Sequence, residues 1–74
     1  MSITQEQREK LQAVGDANEA HAGAVLNGTA SEVIITNSRV RTAELDALAA
    51  GVPKGVYRRH GATRYIAAKR QLHP

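Results

Sequence analysis

The side chains best equipped for chemistry are gathered toward one end of the chain. Residues 51–70, GVPKGVYRRHGATRYIAAKR, hold both aromatic side chains, Tyr57 and Tyr65. They also hold six of the ten Lys and Arg residues and no Asp or Glu. Cations without intervening acids concentrate polyanions, or an acidic protein face, around themselves. The chemistry on offer is charge neutralisation of phosphates by Lys54, Arg58, Arg59, Arg64, Lys69 and Arg70, with His60 as a further donor. The Tyr rings could stack on bases. In a chain that lacks Phe and Trp they are also the largest core candidates, and core packing is the first expectation for them. The same cations equally fit a solvated basic tail, or one that pairs with acids of its own or a neighbouring subunit.

Covalent chemistry finds little to work with. There is no Cys to act as nucleophile or disulfide partner. Ser2, Ser31 and Ser38 stand in no recognisable catalytic motif. GVPKG (51–55) lacks the terminal Gly-Lys-Ser/Thr of a phosphate-binding loop. Glu44 and Asp46 are two apart, so on a helix they do not face each other. His21, His60 and His73 are widely separated and lack metal-ligand spacing. Neither an enzyme nor a metal or cofactor is expected.

The positioning elements must come from a small and poorly filled body. With 74 residues the chain is one domain, and a chain this short buries only about 60% of its unfolded surface. Val, Ile and Leu together number 15, with no Phe or Trp beside them. That fraction borders on disorder, and much of the remaining apolar content is Ala, which buries little area. Thin cores need a staple. Disulfides are excluded, so oligomerisation or docking on a partner remains. The charges divide sharply. Residues 1–53 carry four cations against seven acids, and residues 54–74 carry six cations and no acid. The N-terminus has no apolar leader and no run reaches membrane-span length, so a cytoplasmic location is expected.

Along the chain three segments are expected: a helical one over 1–28, a strand plus short helix over 29–53, and the basic one over 54–74. Thr4 with Gln7 three residues on forms a capping-box pattern for a long first helix over residues 4–26. Its stripe, with Leu11, Val14, Asn18, His21 and Val25 on or beside it, is the candidate oligomer interface. Ala and Gly residues along it would permit close approach of a partner helix. A lone His such as His21 on that face reads as a packed residue. Asn27-Gly28 breaks the helix. Glu32–Thr36 (EVIIT) is short and β-branched and reads as a strand, with Asn37-Ser38 as a turn and Arg39–Arg41 as its hairpin partner. Thr42 then reads as the cap of a short second helix, Ala43–Ala50, that Gly51 ends. Residues 54–74 admit either a third helix or a hairpin folded about His60-Gly61, followed by a short helix or tail. The fold class expected is α+β, mainly helical.

If the third helix forms, Ala43–His60 reads as helix, tight turn, helix. A helix-turn-helix commonly carries a small residue four positions before a turn Gly, as Ala47 and Gly51 do here. AGVPKGVYRRHG (50–61) resembles the turn and recognition helix of bacterial repressors. The resemblance covers about twenty residues and implies basic and Tyr side chains aimed at DNA. Asp46 and His60 depart from it, since both stand where apolar core residues are usual. The expected function is that of a small non-enzymatic nucleic-acid-binding accessory or regulatory protein, with residues 54–70 as its binding segment. The alternative is an assembly adaptor, such as a phage-type head–tail joining or virion component. Such a subunit would gain order by docking on a partner and be found in the virion.

Overall fold

The computed structural model describes residues 3–72. It contains three helices in the order α1 (Gln5–Asn27), α2 (Ala30–Ala49) and α3 (Lys54–Leu72), and no strand among the described residues. The expected α+β class is therefore incorrect, and this is an all-helical domain. Glu32–Thr36 and Arg39–Arg41 lie within α2, not in a hairpin. The separate helix expected over Ala43–Ala50 is the last part of α2. Thr42 does not cap it; its hydroxyl donates to the Ser38 carbonyl one turn back, at 3.1 Å. The basic segment is a helix and not a hairpin. His73 and Pro74, its last two residues, lie outside the described residues.

Local chemistry explains each boundary. Thr4 caps α1: its hydroxyl accepts from the Gln7 amide at 3.0 Å, while the Gln7 side chain accepts from the Thr4 amide at 3.0 Å. Thr29 and Glu32 build the same reciprocal box at the start of α2. Two caps of this kind each satisfy amides that a helix start leaves orphaned. The end of α2 is a Schellman motif. Gly51 takes a φ of +94°, the Val52 amide donates to the Ala47 carbonyl at 2.9 Å, and the Gly51 amide donates to the Leu48 carbonyl at 3.0 Å. A positive φ is the conformation that glycine adopts without a Cβ penalty. Pro53 stands directly before α3, and its carbonyl accepts from the Val56 and Tyr57 amides.

Why α2 is a helix follows from what it buries. Val33, Thr36, Val40, Ala43 and Ala47 recur every three or four residues, and all are buried or half-buried. Ile34 and Ile35, which made the segment look like a strand, stay exposed at 70% and 50%. A helical stripe that packs on α1 outweighs the modest β preference of branched side chains.

Helix α1 is the spine. Both α2 and α3 pack along it, and they touch each other little. Val14, Ala43, Ala47, Val52 and Tyr57 form the core, with Leu11 and Ala17 against it. Val14 is the one large side chain among the described residues that is fully enclosed. The stripe expected to meet a second copy is covered within the chain instead. Val14 is at the core's centre, Leu11 packs beside it, and Asn18 and His21 are half-buried toward α2 and α3; only Val25 is exposed. Close approach of α1 and α3 depends on two glycines. A Cβ on Gly61 would lie 2.5 Å from Asn18 Nδ2 and 3.2 Å from Val14 Cγ1, and one on Gly15 would collide with the Arg64 guanidinium and His60 Nε2.

Candidate nucleic-acid interface

Helix α3 is divided by its packing. Tyr57, Gly61 and Ala68 face inward and are buried. Gly55, Arg59, Ala62, Thr63, Ile66 and Arg70 are exposed. At 3.6 residues per turn, Arg59, Ile66 and Arg70 fall within about 40° of one another, opposite the buried line. Small neighbours at 55, 62 and 63 leave the helix backbone open to close approach. No acid occurs anywhere on α3.

The seven basic residues expected at the interface do not share one fate. Lys54, Arg59 and Arg70 are exposed. Arg58 is exposed too and leans toward α2, its Nε 3.8 Å from the Glu44 carboxylate. Lys69 is half-buried, its Nζ 5.5 Å from the centroid of the Tyr65 ring, a cation–π distance. Arg64 turns inward to α1. One nitrogen reaches Asp16 Oδ1 at 2.8 Å and Glu19 Oε2 at 2.5 Å. Those hydrogen bonds, to Glu19 first and Asp16 second, hold its guanidinium above its ordinary pKa, so it stays charged. His60 also turns toward α1, and its Nε2 is buried without a hydrogen-bond partner. Arg64 and His60 thus position α3 on α1, and the outward cations are Lys54, Arg58, Arg59 and Arg70.

The turn before α3 holds the residues on which the resemblance was drawn. Ala47 is fully buried, Gly51 has positive φ, and Val52 and Tyr57 are buried in the core beside them. Gln7 fixes this turn from α1 by donating its amide to the Ala50 carbonyl at 3.1 Å. The departures are also visible. Asp46 is exposed, and His60 is a half-buried ring where an apolar residue was expected. Tyr57 is core, as packing logic favoured, and Tyr65 is half-buried with its ring centroid 5.9 Å from that of His21.

A groove between α2 and α3 was not anticipated from sequence. His21, Asn37, Val40, Arg41, Glu44, Arg58, Tyr65 and Ile66 contribute to it. On its floor His21 Nδ1 lies 2.8 Å from Thr36 Oγ1. The single Thr36 hydroxyl proton is directed at helix carbonyls, Glu32 O at 2.8 Å and Val33 O at 3.2 Å. With the proton assigned to a carbonyl, His21 is the donor, through Nδ1. The strand readings of Glu32–Thr36 and Arg39–Arg41, and the choice left open between helix and hairpin after Lys54, hid this groove; Thr29-Ala-Ser-Glu32 is a capping box and was the available signal for α2.

Among the described residues no group of three or more His, Cys, Asp or Glu is arranged to hold a metal, and no helix is long and apolar enough to cross a membrane. Comparison with family models, with curated proteins and with solved structures finds no match to this chain. Its function is therefore read from the chemistry of its surface.

Proposed function

We propose that this chain is a small cytoplasmic nucleic-acid-binding module that presents α3 to the major groove of duplex DNA. One observation carries the reading: the outward face of α3 bears Arg59 and Arg70 among small residues and no acid, with Lys54 exposed at the helix's first residue and Arg58 to one side. An α-helix fits the width of the major groove. Residues early in such a helix reach base edges, and cations farther along meet phosphates. Arg59 suits the first role, and Lys54 and Arg70 the second. The tight turn with its left-handed glycine supports the same reading.

Anisotropy of labelled duplex DNA across a salt series tests it. Binding should weaken linearly on a log–log plot. The Lys54→Ala/Arg70→Ala variant should lower the slope by about two, since each phosphate neutralised contributes roughly 0.9. A variant that binds DNA with the parent's affinity and slope contradicts the proposal.

A further inference from the structure

The packing of the three helices leaves an unfilled place. α2 and α3 both lie along α1 yet touch each other little, as in a four-helix bundle that lacks its fourth helix. The space between them is a groove of about 450 Å³ near the middle of the helices. A hollow of about 510 Å³ adjoins it, sharing Arg41, Glu44 and Arg58 and reaching Leu48 and Lys54. A third, sharing Tyr65 and Ile66, extends it to Lys69 and Arg70. From Lys54 to Arg70 the trough is about 24 Å long at 1.5 Å per helical residue. That shape suits a helix of some sixteen residues better than a compact small molecule.

Its chemistry states what kind of helix. The walls offer Leu48, Ile66 and Val40, the first two 51% and 50% exposed in a chain with very little core to spare. Five cations lie along it, Arg41, Lys54, Arg58, Lys69 and Arg70, against the single carboxylate of Glu44. A second copy does not match. Its own groove face repeats these cations, the acidic outer face of α1, with Glu6, Glu9 and Asp16, carries no large apolar side chain, and the exposed Ile34 and Leu45 of α2 share their side of the helix with Arg41 and not with an acid. We infer that the α2–α3 groove receives an acidic amphipathic helix of another protein, its apolar stripe on Val40, Leu48 and Ile66 and its carboxylates on Arg41, Arg58 and Lys69. Helix-in-groove recognition uses this division between an apolar anchor line and charged flanks. The groove shares Lys54, Arg58 and Arg70 with the proposed DNA face, and Arg59, which faces away from the groove, tells the two apart.

Three designed sixteen-residue helical peptides test it, titrated into the intact ¹⁵N-labelled chain. One has a Leu stripe flanked by Glu, one the same stripe flanked by Lys, and one a Ser stripe flanked by Glu. The Leu/Glu peptide should bind saturably, with amide shifts concentrated at Val40–Leu48 and Arg58–Ile66. Leu48→Ser and Ile66→Ser should each weaken it about ten-fold. Both sites are half-exposed, and unchanged helical circular dichroism would confirm that the variants fold. Arg41→Glu/Arg58→Glu should exchange the preference to the Lys-flanked peptide. Arg59→Ala should leave peptide binding unchanged, which separates this result from the DNA reading. Equal binding of the Ser-stripe and Leu-stripe acidic peptides would overturn the inference, as would the absence of binding. So would sedimentation showing a dimer that Leu48→Ser dissociates, since a second copy would then occupy the groove.

Discussion

Gly61 stands where α3 packs against Asn18 and Val14 of α1, and Gly55 stands where nothing lies within contact distance. Both sit in the same helix, so an Ala scan separates packing from propensity. Gly61→Ala should cost about 1 kcal/mol or more, because overpacking against Asn18 and Val14 exceeds the gain in helix propensity. Gly55→Ala should instead stabilise by about 0.5–1 kcal/mol. Urea denaturation of the two variants checks the pair; equal effects would mean that Gly61 is not a contact point. The hydrogen bond from His21 to Thr36 gives a second test. Thr36→Val removes the acceptor from a part-buried donor and should cost about 1–2 kcal/mol. In the parent, ¹⁵N spectra should show the His21 proton on Nδ1, and a proton on Nε2 would contradict the assigned direction. At this scale the sequence was informative about type and silent about partner. Tyr57 was legible as core because no larger side chain competes with it. The pairing of Arg64 with Asp16 and Glu19 joins residues more than forty positions apart, and only the crossing of α1 and α3 brings them together.

The helices themselves were partly legible. The first helix follows from its capping box and period, and the structure starts it at Gln5 with Thr4 as cap. The second was obscured because Val33, Ile34 and Ile35 carry a strong strand signature. The box at Thr29 and Glu32, and the three-four spacing of Val33, Thr36, Val40, Ala43 and Ala47, pointed the other way. Helix won because that spacing buries a continuous line on α1, and the segment has no second strand to pair with. Thr29→Ala should therefore cost about 1 kcal/mol, the usual worth of a cap. Gly51→Ala should cost at least as much, since a Cβ would be strained at φ +94° and would lie 2.9 Å from Gln7 Nε2. Thermal melts of both variants measure this, and a loss-free Thr29→Ala would argue that α2 begins later than Ala30.

The molecule as a whole joins a thin Ala-rich core to an uneven charge distribution. Part of its basic end is neutralised internally: Arg64 meets two acids of α1, and Arg58 leans on Glu44. Each pair has one exposed partner, so each contributes little to stability and weakens with salt. The charge split visible in the sequence is thus real but smaller at the surface than the residue count suggests. What remains unneutralised at this end is the outward line of α3, the face proposed to meet DNA. The most direct measurement is a ¹⁵N-edited NMR titration of the chain with short duplex DNA at near-physiological salt. Binding through this face should confine the shifts to Lys54–Arg59, Ala62–Thr63 and Ile66–Arg70, with the acidic outer face of α1 unmoved. Absence of shifts, or shifts centred on α1 or spread evenly over the chain, would contradict it.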